Sequence, residues 1–537
     1  MEIDHCSFEH LPFSTLFKTY INKFSELRDF YNYDPFDDQS ILDRSEFLND
    51  YNLREELIEA LSVYHKDLCI SDNQKEQLTK FANVDSRVVV TGQQTGLFGG
   101  PLFTVYKTLT TILLARKMES ITGKPVVPVF WIADEDHDFD EIAWAGVLGR
   151  DDYHAVTLDQ QGSGKPVSEE IIGSDFNKFE SEFWDHLPDT DFTDSLKKQL
   201  AENYLSGNTF SASFAQFICE LFADQGILIA GSQHKVFKDL SKEVIKKSVT
   251  ECDKIFEAIE TKSQQIAGKY HQQVQNGDTN LFYLDHDKKR VKIHRDGSVF
   301  TAGDDRWSED SLIKEIESRP ERFSPNVFLR PVIQDHLFPT IGYVAGPGET
   351  AYYGQMKEMY PVFGMEMPVI YPRLSATILE SGIERILEKL PFELWDYGQR
   401  IEDLESAYVE KAETIDVESV FGKWMNGIKE LTPDAREKIN EVDPTLDGTV
   451  GKTESQFLNE LNKLKGRVYR SIKEQEKIQI NRIEKIKVNL FPDGGLQERS
   501  VSPVYIMNKY GPGIWDELAD QLEKNDLDLS KHYIIKL

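Results

Sequence analysis

A short β-branched run, Arg87 to Gly92, is followed by a glycine-rich loop, a long amphipathic stretch opened by Pro101, and a second apolar run from Lys124 to Ala133. Strand, helix and strand in this order make a β-α-β unit. The alternation resumes further along. SFAQFICELFADQ (213–225) has helical periodicity, GILIAGS (226–232) reads as a strand, and HKVFKDLSKEVIKKSV (234–249) is helical again. NVFLRPVIQD (326–335), TIGYVAG (340–346) and PVIYPRLS (368–375) read as further strands, with a helix over ETAYYGQMKEMYPVFG (349–364). Such alternation predicts an α/β fold with a mainly parallel, doubly wound, Rossmann-like sheet.

Around this core the texture changes three times. Residues 1–86 carry helical periodicity and predict an N-terminal helical segment packing on the core. Two polar stretches, about 155–208 and about 265–322, interrupt the 87–375 core and read as insertions. From 376 to 490 the chain is charged and helical. Phe457, Leu461, Leu464 and Val468 keep spacings of four, three and four, and Ile483, Ile486 and Leu490 resume the seam. A coiled-coil arm is expected. A partner helix is available within 407–431, so an antiparallel hairpin within the chain stands beside a dimer zipper; residues 491–537 are expected to return to the core.

A chain of 537 residues with 40% hydrophobic and 28% charged residues can bury several cores. Its formal net charge of -31 repels phosphate backbones and anionic membranes, so no nucleic-acid or membrane partner is expected. Cys6, Cys69, Cys219 and Cys252 are too scattered for a zinc site or a disulfide framework, which suits a reducing cytoplasm. The acidic N-terminus lacks the pattern of a signal peptide, and no apolar run reaches about 18 residues.

Chemistry is expected at strand ends. In VVVTGQQTGLFGGPLFTVYK (88–107), glycines allow a tight turn before a helix N-terminus that can receive an anion, although neither dinucleotide nor P-loop spacing is present. Thr91, Gly92, Gln93, Gln94, Gly99 and Lys107 are its substrate-binding candidates. In WIADEDHDFDE (131–141), an acidic cluster follows a buried strand. Asp134, His137 and Asp138 are the catalytic candidates there, and Glu135 is a substrate contact. Such carboxylates suit a substrate ammonium or a magnesium ion, and no metal ligand set stands out. Gln334, Asp335, Tyr343, Gly346 and Glu349 extend the substrate set from the third region. Arg373, Leu374, Ser375, Arg499, Asn508 and Lys509 are the candidates for nucleotide phosphates.

Five blocks carry a family resemblance: VTGQQTGLFGGPLFTVYK, PVFWIADEDHDFDEI, SPNVFLRPVIQDHLFPTIGYVAGPGETAYY, PRLSATILE and LQERSVSPVYIMNKYG. In the same order and over nearly the whole chain, they resemble the BshC family, cysteine ligases of bacillithiol biosynthesis. The resemblance implies addition of L-cysteine to glucosaminyl-malate. It also implies a core like that of class I aminoacyl-tRNA synthetases, with connecting-peptide insertions, and a homodimer to which the coiled coil contributes. Amide formation from a free carboxylate is uphill, so ATP, with magnesium or in an ADP-bound form, is the expected cofactor. The HIGH and KMSKS signatures of those synthetases are absent in literal form; TGQQ is the nearest counterpart of the first. A strand-end carboxylate or His137 is expected to take the proton from the glucosamine amine. Two other classes fit parts of the pattern: a nucleotidyltransferase acting on a small anionic metabolite, and a non-enzymatic coiled-coil scaffold. The polar groups gathered at several strand ends argue against the scaffold.

Overall fold

Valines 88–90 are wholly buried, as are Val127, Val129, Phe130 and Ile132. Strands that are apolar on both faces belong at the centre of a sheet covered by helices on each side. In the computed structural model, which describes residues 1–68, 70–411 and 416–537, they occupy that position. Cys69, and residues 412–415 within the expected partner helix, lie outside the described residues. The chain forms two compact units, Met1–Ile378 with Gln497–Leu537, and Leu379–Leu496.

The first unit is built on strands β1 (Arg87–Gln93), β2 (Val126–Ile132), β3 (Leu228–Gly231), β4 (Thr340–Ala345) and β5 (Val369–Pro372). Helix α1 (Leu102–Thr122) connects β1 to β2, and α2 (Phe210–Leu221) precedes β3. All neighbouring pairs are parallel, in the order β5-β4-β1-β2-β3. The chain therefore runs outward from β1 through β2 to β3, then crosses back to lay β4 on the other side of β1. Loops leaving β1 and β4 diverge at that reversal, which opens a crevice at the carboxyl ends of the strands.

Both polar stretches are structured. The first holds helices Phe176–Asp185 and Thr193–Asn203. Phe176, Phe179, Phe183 and Tyr204 ring Phe98 at centroid distances of 4.8–5.9 Å. Phe98 sits at φ 53° with Gly99 and Gly100 also at positive φ. The GLFGG loop thus turns a phenylalanine into the inserted helices, and a β-carbon at Gly99 would lie 2.5 Å from the Phe217 ring. The second stretch holds short antiparallel strands, of which Leu281–Leu284 pairs with both Arg290–Lys292 and Phe323–Pro325.

Three local expectations are corrected. Leu329–Leu337 is a helix, α3, rather than part of a strand. The Asn326 side chain receives the Phe328 and Leu329 N–H groups at 3.0 and 3.1 Å, and Leu329, Val332, Ile333 and Leu337 form its buried stripe. The helix after β4, α4, spans only Pro347–Tyr353. Finally, Ser375–Leu379 does not lead directly into a helix. It is a strand in a separate sheet with Lys531–Lys536 and Glu2–Ser7, so the N-terminal segment begins with a strand.

His532 lies in that small sheet, fully buried, with Nδ1 2.8 Å from Ser375 Oγ and Nε2 2.9 Å from Thr377 Oγ1. Burial pulls its imidazole down to about 4, against the opposing pull of Glu498. Between that value and the ordinary one near 6.5 the unfolded chain binds the proton and the folded chain does not. The stability contribution is therefore complete above about pH 6.5 and is lost as pH falls toward 4. His532→Asn is expected to flatten the fall of the melting temperature between pH 7 and 4.5; a slope equal to that of the parent chain refutes the assignment.

In the second unit, α5 (Val417–Val442) and α6 (Asp447–Gln475) form an antiparallel hairpin. Asn440 bonds Asp447 beside the turn, and Tyr469 bonds Glu418 at the far end. Val417, Phe421, Leu461 and Ile472 are buried between the helices, while Phe457 and Leu464 are 58% and 40% exposed. Ile483, Ile486 and Leu490 are buried in the next helix, Lys477–Leu490, against Ser381–Leu387 and Ile401–Lys411. The seam read from spacing is thus shared by two helices. No helix among the described residues is long and apolar enough to cross a membrane.

Candidate active site

Four strand-end loops and one inserted hairpin enclose a cleft of about 390 Å³ at the β1/β4 reversal. At β1 the backbone must come close to a guanidinium. A β-carbon at Gly92 would lie 3.1 Å from Arg330 Nη1 and 3.3 Å from the Trp131 carbonyl oxygen, so glycine lets Arg330 rest on the strand end. Lys107, one turn into α1, reaches back to Gly92 O at 2.8 Å, Gln93 Oε1 at 3.2 Å and Glu349 Oε2 at 2.5 Å.

Glu349 organises the β4 side. Its Oε2 accepts the Gly346 N–H at 2.7 Å, closing the first turn of α4, and its Oε1 accepts the Tyr343 hydroxyl at 2.7 Å. Burial raises its carboxyl, but Lys107 and Arg330 outweigh burial and hold it below the ordinary carboxylate value. Arg330 also donates to the Tyr352 hydroxyl at 2.6 Å.

Across the cleft, Asp136 accepts from Gln94 at 3.2 Å and from Arg290 at 3.3 Å. Arg290 comes from the second insertion, stacked 3.7 Å over Phe282 and bonded to Ser324 and Pro325. Glu135 is buried on the wall and ion-paired with Lys238, which also donates to the Phe323 carbonyl at 2.7 Å. Burial pushes the Glu135 carboxyl up against the pull of Lys238. The lining cations are Lys107, Arg290, Arg330, Arg373 and Arg499, and the lining carboxylates are Glu135, Asp136 and Glu349. The excess of positive charge suits an anionic ligand, inside a chain that is acidic as a whole.

Of the residues singled out in the sequence, Gly92, Gln93, Gln94, Lys107, Glu135, Gly346, Glu349, Arg373 and Arg499 line this cleft. Thr91 and Tyr343 brace it from below, Thr91 by a 3.0 Å bond to Val344 O. Gln334 lies wholly buried beneath Gly92, with both amide atoms unpartnered. Asp335 faces the other way, toward Tyr360 at 2.6 Å, and burial raises its carboxyl to about 6. Gly99 belongs to the packed turn described above. Asp134 opens into a different cavity, and His137 and Asp138 are exposed outside both. The three catalytic candidates do not converge.

The nucleotide candidates do not converge either. Arg373 is held in a buried pair by Glu498, Nη2 to Oε1 at 2.6 Å and Nη1 to Oε2 at 3.0 Å. Ser375 also bonds Glu498, and the buried Leu374 gives its N–H to Thr110 at 2.8 Å. Asn508 bonds Thr193 and Pro188, and Lys509 bonds Tyr505. Only Arg373 and Arg499 of this group reach the cleft, where both approach the Phe103 ring. A triphosphate site built from this set does not fit. No group of three or more metal-binding side chains is present among the described residues.

Sequence reasoning missed Arg290, Arg330, Phe103 and Tyr352. Arg330 becomes legible once 329–337 is read as a helix that presents it one turn before Gln334. Arg290 sits in a polar hairpin with nothing local to mark it.

A doubly wound sheet with a charged, small-molecule-sized cleft at its reversal point defines a Rossmann-type enzyme. Residues 1–374 match the family model described as bacillithiol biosynthesis BshC, N-terminal Rossmann-like domain, and residues 376–537 match its C-terminal coiled-coil domain, so the chain belongs to the BshC family. Relatives named "Putative cysteine ligase BshC" include those of Salinibacter ruber, 32% identical over 90% of this chain and 88% of the relative, and Chlorobaculum tepidum, 31% identical over 91% and 90%. The relative from Bacillus cytotoxicus carries the same name and is 29% identical over 90% and 91%.

Proposed function

We propose that this protein joins L-cysteine to the glucosamine amine of glucosaminyl-malate, completing bacillithiol. The observation that carries the reading, beside family membership, is the excess of cations at the β1/β4 reversal. Arg330 and Arg290 both line the cleft, and two guanidinium groups suit a dicarboxylate such as the malate moiety. Held there, the amine lies within reach of Glu135, which takes its proton as the amide bond forms. The oxygen leaving the cysteine carboxyl requires activation, for which ATP with Mg2+ is the proposed co-reactant. Of the residues expected for its phosphates, only Arg373 and Arg499 reach the cleft. The reaction belongs in the cytoplasm.

Mass spectrometry of protein incubated with glucosaminyl-malate, L-cysteine, Mg2+ and ATP, omitting each in turn, tests the reading. An amide product dependent on both cysteine and ATP supports it. Pyrophosphate release without cysteine dependence points instead to nucleotidyl transfer.

The exposed apolar residues Trp424, Leu431, Phe457 and Leu464 on the hairpin are proposed to be covered by a second copy of the chain. Light scattering after size exclusion is expected to give a dimer for the parent chain and a monomer for the Trp424→Lys, Phe457→Lys double variant. An unchanged mass refutes this interface.

A further inference from the structure

The turn after β2 sends successive side chains to opposite sides. Glu135 enters the cleft, whereas Asp134 enters a second cavity of about 880 Å³. Asp134 is buried. Its Oδ1 accepts from Ser232 Oγ at 2.7 Å and Gln233 N at 3.1 Å, and its Oδ2 accepts from Ser211 Oγ at 2.6 Å. These donors fix the carboxylate but are all neutral, and no lysine, arginine or histidine pairs with it among the described residues. A buried carboxylate without a cation is costly. Beside it, Gln233 Oε1 is a buried acceptor with no partner.

The lysine and the two arginines that line this cavity, beside His234 and His286, have other partners. Lys288 pairs with Glu169 at 2.8 Å, and Arg319 and Arg322 approach Glu315 at 3.3 and 3.7 Å. What the wall lacks is therefore a lysine or arginine at Asp134, where Tyr64 and His234 also line the cavity. A primary ammonium supplies both the charge and the N–H groups.

We propose that the second cavity seats the amino acid while its carboxyl is activated, before it meets the amine in the first cleft, with its α-ammonium paired with Asp134 and donating to Gln233 Oε1. That this amino acid is cysteine rests on the ligase reading; the need for an ammonium does not. The cavity exceeds a single amino acid and leaves space for a group attached to the carboxyl during activation.

Titration of the full-length protein with L-cysteine and N-acetyl-L-cysteine, followed by saturation-transfer NMR, tests the assignment. The acetylated compound, which lacks the ammonium, is expected to bind at least about tenfold more weakly. Asp134→Asn is expected to weaken L-cysteine by a similar factor and to leave the acetylated compound unchanged. Equal binding of the two compounds to the parent chain overturns the proposal without any variant. So does loss of L-cysteine binding in Arg330→Met, which marks the first cleft, with retention in Asp134→Asn. Product formation with an unaltered KM for cysteine in Asp134→Asn overturns this inference and leaves the ligase reading standing. Ammonium-selective binding at Asp134, with no amide product in the omission assay, sustains the inference and removes the ligase reading.

Discussion

Glu498→Ala is expected to destabilise the Rossmann unit by about 3–5 kcal/mol, the cost of stripping one partner from a buried ion pair. Glu498 is wholly buried and receives four hydrogen bonds, two from Arg373 and one each from the Ser375 hydroxyl and the Ala376 N–H. The alanine leaves the Arg373 guanidinium, only 3% exposed, without its counter-charge, and two further donors without an acceptor. Glu498→Gln keeps the shape and loses the charge, so a smaller loss is expected. Urea unfolding read by circular dichroism measures both; a midpoint unchanged in the alanine variant contradicts the role given to this pair. The carboxyl is held below its ordinary value, burial being outweighed by Arg373, so its contribution persists above that value and is lost as pH falls through the folded one.

Turnover is expected to fall about 10²–10⁴-fold in Glu135→Gln, the usual contribution of a positioned general base. Binding of glucosaminyl-malate is expected to survive, because Arg290 and Arg330 remain. Since burial raises the Glu135 carboxyl and Lys238 pulls it back, the acid limb of the rate profile reports on their balance. Activity needs the deprotonated carboxylate and so declines as pH falls. Lys238→Met removes the restraining cation, lifts the carboxyl further and is expected to move that limb to higher pH. An acid limb indifferent to Lys238, or full turnover in Glu135→Gln with loss in His137→Ala, assigns the base to His137 instead.

The sheet was legible because its strands are buried on both faces: RVVVTG and KPVVPVFWIA have no reading other than central strands. Where a segment was short and bordered by aromatics, as in NVFLRPVIQD, periodicity could not separate strand from helix, and the Asn326 cap that decides it is a side-chain contact. The strand Glu2–Ser7 was invisible for a different reason, since its partner lies more than 500 residues away. The cleft was partly legible from glycines and carboxylates placed after strands. The acidic run shows the limit: Asp134, Glu135 and Asp136 are adjacent in sequence, yet one faces one cavity and two face another. Which residue of such a run meets a ligand depends on the turn, and the turn is set by Ser211, Ser232 and Gln233.

The register of the small sheet, Glu2 opposite Lys536 and Ser7 opposite Lys531, also sets an order in time. During synthesis the first strand leaves the ribosome hundreds of residues before its hydrogen-bonding partner exists, and Glu498 likewise follows long after Arg373. The hairpin of α5 and α6 is contiguous in sequence and can close while the remainder is still being made. A chain cut short between the end of the hairpin and its last few residues would therefore carry a finished arm and a Rossmann unit with one sheet left open, the state in which such a protein is most exposed to proteases and to pairing with other edges.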